Sequence, residues 1–375
     1  MICVLLILDA CAGGVGPDDP RPTDITVLWR SASIRASAVP AVDDSTLLVF
    51  DLLGVLHALR RRDGSERWQK SISGAETFVD LELSSETAIL SKGGLHALDA
   101  TTGIERWQQL GFGSPRLAVR DSLLVPALDP VGGSIQLLDV LSGVTRWSRS
   151  LLPIDSIVTI IGFLTYRSAT ITVASIVVPF DLRNGAGILR GGVGTLDART
   201  GDRRWARLLP IHNSGSTTSA SIAAANAGTI VVSADDGFFY CFDEFTGVLR
   251  WTGSPASLGG TVLAQDSRSV AIVGSYVAIG SSFGLINIHD VRNGQLLRSV
   301  NSQLGAVRAF FQVRDGLVLS HHVAGGLALT ELATGAIRWR LSPRTDADRV
   351  DALRVVGDTV FATSAVSGLT VFRLP

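Results

Sequence analysis

The chain has few reactive side chains and little net charge. Its 375 residues carry a formal net charge of −1 at pH 7, and lysine is limited to Lys70 and Lys92. Such a balance gives no electrostatic basis for binding nucleic acid or an anionic membrane surface. The three cysteines, Cys3, Cys11 and Cys241, are not adjacent in sequence. No nucleophile elbow, phosphate-binding loop or zinc motif is present.

Residues 1–24 differ in composition from the rest of the chain. The apolar run within residues 1–11 is too short to span a bilayer, which takes about 20 residues, and it fits the apolar region of a signal peptide. Leu8-Asp9-Ala10-Cys11 resembles a bacterial lipobox, although Asp9 departs from the usual small or apolar residue. We therefore expect lipidation at Cys11, followed by a flexible Gly- and Pro-rich tether up to residue 24. The alternative is a cytosolic protein whose first residues have no function.

After residue 24 one pattern recurs seven times: an apolar strand, an acidic residue, two residues, a small polar residue, Gly, three residues and Trp. Its period is roughly 40 residues, as in propellers and solenoids. Two copies depart from it, with Arg60 in place of the acid and Arg298 in place of Trp. The other copies contain Asp99, Gly103 and Trp107; Asp139, Gly143 and Trp147; Asp197, Gly201 and Trp205; Asp243, Gly247 and Trp251; and Glu331, Gly335 and Trp339.

Each copy predicts a hairpin turn between two strands. The Gly supplies a positive φ without steric cost, and the acidic side chain accepts hydrogen bonds from the turn itself. The Trp follows on the outgoing strand, where it can fill the wedge between neighbouring sheets. Two further apolar segments precede each copy, so the repeat predicts four strands and a β-propeller blade.

The two ends of the repeat region together complete one blade. Residues 25–31, which contain Trp29, read as an outermost strand without its inner three, and segments 352–356, 359–363 and 368–373 read as three strands without a fourth. Pairing them would close the ring and remove an exposed sheet edge. The sequence therefore predicts an all-β, eight-bladed propeller of four-stranded blades over residues 25–375, as a single monomeric domain.

The pattern Asp-x-x-Thr-Gly-x-x-x-Trp resembles the repeat of the pyrroloquinoline-quinone (PQQ)-like propeller superfamily. This resemblance implies one of two functions. The superfamily includes quinoprotein dehydrogenases, many of which carry adjacent cysteines against the quinone and a calcium ion held by Glu, Asn and Asp. It also includes non-catalytic, BamB-like propeller lipoproteins.

This chain resembles the BamB-like lipoproteins more closely, because its blades are short and its cysteines are not adjacent. The resemblance implies a non-catalytic scaffold of the bacterial cell envelope, on its periplasmic side or surface. We expect a protein partner, with membrane-embedded proteins among the candidates, and contact with the membrane only through the lipid anchor. No catalytic residues, metal or cofactor are predicted. The alternative function is a PQQ-dependent oxidoreductase.

An insertion in the fourth blade, within residues 154–192, is the most individual part of the sequence. Two lengthened strands are expected in it, followed by a loop or hairpin tip. Because propellers use loops on a rigid scaffold for recognition, we expect this tip to be a contact surface for a partner; the alternative is simply a longer blade. The residues assigned to this surface are Phe180, Asp181, Leu182, Arg183 and Asn184.

Overall fold

The fold is all-β. The described residues form eight antiparallel sheets; in seven of them all strands come from one continuous stretch of chain, and the eighth combines the last three strands with the first. The structure is a computed structural model. It describes residues 25–72, 80–84, 86–92, 94–109, 117–119, 121–126, 134–151, 164–166, 169–183, 189–210, 220–226, 228–234, 237–254, 269–314 and 316–375.

Blades 1 to 4 occupy the first half of the ring. Blade 1 comprises β2 (Ala41–Val42), β3 (Thr46–Phe50), β4 (Val55–Arg60) and β5 (Glu66–Ser71). Blade 2 comprises β6 (Asp80–Ser84), β7 (Thr87–Ser91), β8 (Leu95–Asp99) and β9 (Glu105–Gln109). Blade 3 comprises β10 (Leu117–Val119), β11 (Ser122–Pro126), β12 (Ser134–Asp139) and β13 (Thr145–Ser150). Blade 4 comprises β14 (Leu164–Tyr166), β15 (Thr170–Ile171), β16 (Ser175–Arg183), β17 (Leu189–Asp197) and β18 (Arg203–Leu208).

Blades 5 to 8 complete the ring. Blade 5 comprises β19 (Ala220–Asn226), β20 (Thr229–Ala234), β21 (Phe239–Asp243) and β22 (Leu249–Gly253). Blade 6 comprises β23 (Ser269–Val273), β24 (Tyr276–Gly280), β25 (Leu285–Asp290) and β26 (Leu296–Asn301). Blade 7 comprises β27 (Val307–Arg314), β28 (Leu317–His322), β29 (Leu327–Glu331) and β30 (Ile337–Leu341), and a short 3-10 helix (Asp346–Asp348) follows it. Blade 8 comprises β31 (Ala352–Val356), β32 (Thr359–Ser364), β33 (Gly368–Arg373) and, from the N-terminal side, β1 (Thr26–Ser31).

The ring closes as the sequence predicts. β1 pairs antiparallel with β33, with Thr26 opposite Arg373 and Trp29 opposite Val371. The eight-bladed count and the closure by the N-terminal strand are therefore confirmed. Strand pairing at this seam hides the edge that β33 would otherwise expose.

Antiparallel pairing gives the ring two different ends. At one end, here called the turn face, lie the turns between the first and second and between the third and fourth strands of each blade, including the turn at Gly103. At the other end, the loop face, lie the described turns between second and third strands and the described connections from blade to blade, such as residues 302–306. The apolar core lies between adjacent blades, as in the cluster of Leu56, Leu90 and Leu98 from blades 1 and 2.

Blade 4 differs from its prediction. The insertion forms a long hairpin of β16 and β17, nine residues each, and Phe180, Asp181, Leu182 and Arg183 are part of β16 rather than of a loop. The reason is that Phe180 faces Gly192, where a Cβ would come within 2.3 Å of the Phe180 ring. The Gly residues of β17 therefore make room for a large apolar side chain and favour pairing.

Candidate protein-binding surface

The repeated turn has the predicted geometry, shown here for blade 2. Asp99 Oδ1 accepts hydrogen bonds from the backbone N–H groups of Thr101 (3.0 Å) and Thr102 (2.8 Å) and from the Thr102 hydroxyl (3.0 Å). Gly103, at φ 73°, donates its N–H to the Asp99 carbonyl. The same Asp-centred contacts are made by Asp139, Asp197 and Asp243.

In five of the repeated turns an arginine directly before the Trp completes the turn, and the sequence analysis missed it. Arg106 Nη2 lies 2.6 Å from the second carboxylate oxygen of Asp99, and this hydrogen bond, together with those from Thr102 and Thr101, lowers the pKa of Asp99 to about 2. The recurring Arg-Trp dipeptide was the available signal. Equivalent pairs join Arg146 to Asp139, Arg204 to Asp197, Arg250 to Asp243 and Arg338 to Glu331. These charges stabilise the turns.

The tryptophans join neighbouring blades. A Cβ on Gly103 would lie 2.8 Å from Cδ2 of Trp68 in the preceding blade, so the indole packs directly on the glycine. The Trp68 N–H also donates to the Ala100 carbonyl at 3.0 Å. The predicted wedge is thus confirmed, and it adds a second reason for Gly at this position. The same packing joins Trp29 to Gly64, Trp107 to Gly143, Trp147 to Gly201, Trp205 to Gly247 and Trp251 to Gly294.

Exposed apolar side chains lie on the loop face of blades 6, 7, 8 and 1. Leu53 is 87% exposed and Leu52 is 55% exposed. These two residues lie between β3 and β4, and Phe283 lies at the corresponding position of blade 6. We call this set the loop-face surface; its members are Val39, Leu52, Leu53, Phe283, Val323 and Val366.

Hydrogen bonds fix the Leu52–Leu53 turn. Asp51 Oδ1 accepts the N–H groups of Leu53 (2.9 Å) and Val55 (2.8 Å). Its other oxygen lies 3.1 Å from Nε2 of His57, and Nδ1 of that ring lies 2.9 Å from Glu66. His57 therefore has a structural role. His96 occupies the same position of the repeat in blade 2. The apolar pair projects from a rigid turn.

The other turns of the loop-face surface are held in a similar way. The Ser281 hydroxyl accepts the N–H groups of Phe283 (3.2 Å) and Leu285 (3.0 Å), and Ser364 does the same for Val366 (3.2 Å). Backbone hydrogen bonds also connect neighbouring loops, including Leu52 N–H to the Arg35 carbonyl at 2.9 Å. Apolar groups held rigidly in water are suited to bind another protein with little loss of conformational entropy.

The predicted partner surface in blade 4 is wrong for three of its five residues. Phe180, Asp181 and Leu182 are buried, and the Asp181 carboxylate accepts the backbone N–H of Ala220 at 2.9 Å. These three side chains pack within the sheet and against neighbouring parts of the propeller, so they do not form an exposed contact surface. The Arg183 side chain and Asn184 lie outside the described residues, as does Cys11, so the lipidation hypothesis stays a prediction.

Cys241 and Glu82, two described groups that could serve a quinone–calcium site, have structural surroundings in the propeller. Cys241 is fully buried between blades 5 and 6, and burial raises its pKa to about 12. On the inner strands, Glu82 of blade 2 lies 3.8 Å from Arg354 of blade 8, and burial raises the pKa of Glu82. This carboxylate is therefore paired with a protein cation. Among the described residues, no helix is long and apolar enough to cross a membrane.

The ring, the repeat and the interblade tryptophans define a PQQ-like β-propeller. The sequence matches the family described as outer membrane protein assembly factor BamB over residues 21–178 and 189–374, and the chain belongs to this family. No curated protein sequence matches it significantly.

Solved structures show the same fold at low sequence identity. BamB from Moraxella catarrhalis is 18% identical, with a TM-score of 0.54, over 92% of this chain and 84% of that one. A europium-containing methanol dehydrogenase is 14% identical, with a TM-score of 0.61, over 93% and 87% of the two chains. The C-terminal WD40 domain of Sif2 is 12% identical, with a TM-score of 0.64, over 94% and 98%. At these identities the likeness establishes the fold alone.

Proposed function

We propose that this chain is a non-catalytic, protein-binding scaffold of the bacterial cell envelope. Membership of the BamB family supports the location and the class. The observation that carries the proposal is the loop-face surface, in which Leu53 and Phe283 are held in water by hydrogen-bonded turns. The proposal includes no bound quinone.

The proposal gives the ring an orientation. Cys11 is the anchor, and a coil of about 13 residues would reach roughly 20 Å, at about 5–6 Å times the square root of its length. Thr26, the first residue of β1, pairs with Arg373 at the turn face, so the tether would join the ring at that face. The loop-face surface therefore points away from the membrane, towards the water-exposed part of a partner, including a membrane-embedded one.

Cell fractionation and affinity capture test these two claims separately. Cys11→Ser should move the protein from the membrane fraction to the soluble fraction without changing its Tm; unchanged fractionation contradicts the anchor. Leu53→Asp with Phe283→Asp should abolish capture of a discrete partner from detergent-solubilised envelopes. Leu297→Asp, on the outer strand of blade 6 and also exposed, is the matched control.

The enzymatic alternative is tested with purified protein. After reconstitution with PQQ and Ca²⁺, dye-linked oxidation of alcohols and sugars should be indistinguishable from a blank. Saturable activity would overturn the proposed function in favour of an oxidoreductase.

A further inference from the structure

A cleft opens on the turn face between blades 3 and 4. Its volume is about 1060 Å³, enough for a drug-sized ligand or a few residues of a peptide. Apolar side chains cover much of its lining, and charged side chains of both signs complete it. The apolar lining residues include Leu124, Leu137, Trp147, Ile171, Ile176 and Ala198.

Most charges at this cleft already have partners. Arg146 lies 2.9 Å from Asp121 and 2.6 Å from Asp139. Arg204 lies 2.9 Å from Asp197 and also donates to the Ala174 carbonyl at 3.1 Å. These groups shape the rim of the cleft, and their carboxylates are neutralised within the protein.

Arg199 is different. It lines the cleft and is exposed, and within the described part of the chain its guanidinium makes no ion pair. Arg292, at the same position of the blade 6 turn, lies 2.6 Å from Asp290, because Leu297 stands where the other turns have their arginine. In blade 4 the equivalent acid, Asp197, is already paired with Arg204. The cleft therefore presents an unpaired cation.

Trp147 forms part of the apolar lining of the cleft. The residue is 9% exposed, and its indole packs on Gly201. Its Nε1 atom is buried and has no acceptor among the described residues, as is also true of Trp339. The contribution of Trp147 to the cleft is therefore apolar.

An exposed apolar residue is fixed at the edge of the cleft. Val173 is fully exposed at the tip of the turn before β16. The adjacent Thr172 donates its hydroxyl to the buried carboxylate of Glu244 in blade 5, which also accepts the Gly228 N–H at 2.8 Å. The turn that carries Val173 is thus held towards blade 5, away from the floor of the cleft.

We propose that this cleft binds a protein segment in which a bulky apolar side chain adjoins a carboxylate. The apolar side chain packs on Leu137, Trp147 and Ile171, and the carboxylate pairs with Arg199. Charge complementarity with the unpaired guanidinium selects an acidic ligand. The site is on the face opposite the loop-face surface and is separate from it.

Selection from a random-peptide phage library on the purified full chain tests the proposal. We expect a consensus with Leu, Ile or Phe beside Asp or Glu. Anisotropy titration of a fluorescein-labelled consensus peptide should show about fivefold weaker binding to Arg199→Gln, the loss expected for a partly exposed ion pair.

Matched variants separate recognition from folding. Arg292→Gln, at the equivalent position of blade 6, should leave peptide affinity unchanged. Replacing the acid of the peptide by its amide should abolish the effect of Arg199→Gln. The proposal is overturned if no consensus emerges, if Arg199→Gln binds the peptide as the wild type does, or if Arg199→Gln instead abolishes self-association and so identifies a second copy as the occupant. None of these outcomes depends on Leu53 or Phe283.

Discussion

Arg298 of blade 6 lies against Gly335 of blade 7, where the other six interfaces with a turn glycine have a tryptophan. Its Cδ is 3.1 Å from where a Cβ on Gly335 would stand, and Val300 comes equally close. The aliphatic part of the arginine therefore takes the place of an indole and covers less apolar surface.

Arg298→Trp should consequently be neutral or stabilising by up to about 1 kcal/mol, as cavity-filling and consensus substitutions commonly are. Thermal and urea unfolding measure this change. A loss of more than about 2 kcal/mol, large for one substitution, would show that Arg298 has a specific partner.

Gly103→Ala should destabilise the propeller by several kcal/mol. The new Cβ would stand 2.8 Å from Cδ2 of Trp68, and the residue has φ 73°, so packing and backbone strain both oppose the change. Gly316 is the matched control, because it has the same φ of 73° and nothing within 4 Å of its Cβ position. Gly316→Ala should cost only the conformational strain, about 1–2 kcal/mol. Equal losses in urea unfolding would show that contact with Trp68 does not matter.

Removing residues 1–31 should destroy the ring seam, because β1 pairs with β33 along Thr26 to Ser31. The exposed edge of β33 should then cause aggregation or a loss of cooperative unfolding. Removing only residues 1–24 is the control and should leave the Tm unchanged. Sedimentation and calorimetry compare the two proteins; a stable, cooperative shorter chain would contradict closure by β1.

Acid should destabilise the protein through His321. Burial lowers its pKa to about 4, helped by Arg308 and His322 and opposed by the Val350 carbonyl and Asp351. The folded protein therefore favours the neutral ring, whereas the unfolded chain binds a proton below its ordinary pKa of about 6.5. The neutral His321 ring therefore makes its full contribution to the free energy of unfolding above pH 6.5. As the pH falls towards 4, the free energy of unfolding decreases by roughly 3 kcal/mol.

His321→Gln should flatten the fall in unfolding free energy between pH 6.5 and 4. The residual slope should come from His322 and His289, whose pKa values burial also lowers. An identical pH profile for the variant and the wild type would refute this assignment.

Most of the fold could be predicted because the repeat encodes it. Asp99, Gly103 and Trp107 occupy positions with fixed physical roles. Gly recurs at its position in all seven copies, and the acid and the Trp each recur in six. The sequence predicted that each Trp fills a wedge between blades, but it did not predict that Trp68 packs on Gly103. A single repeat does not show which residue of the neighbouring blade its Trp contacts.

Blade 4 could not be predicted in the same way. Asp181 and Asn184 resemble turn residues, and nothing local to Asp181 shows that its carboxylate accepts the N–H of Ala220, 39 residues further along the chain. Likewise, Arg199 looks like any exposed turn residue. Arg199 has no ion pair because Arg204 is already paired with Asp197. This difference becomes visible only when the turns are compared in three dimensions.

Site-specific photocrosslinking in growing cells tests the proposed scaffold function most directly. A photoreactive phenylalanine analogue at Leu53 or Phe283, on the loop-face surface, should give one discrete adduct with another envelope protein. The same analogue at Leu297, on the outer strand of blade 6, should give none. The account is contradicted if positions 53 and 283 give no adduct, or if position 297 gives the same adduct as they do.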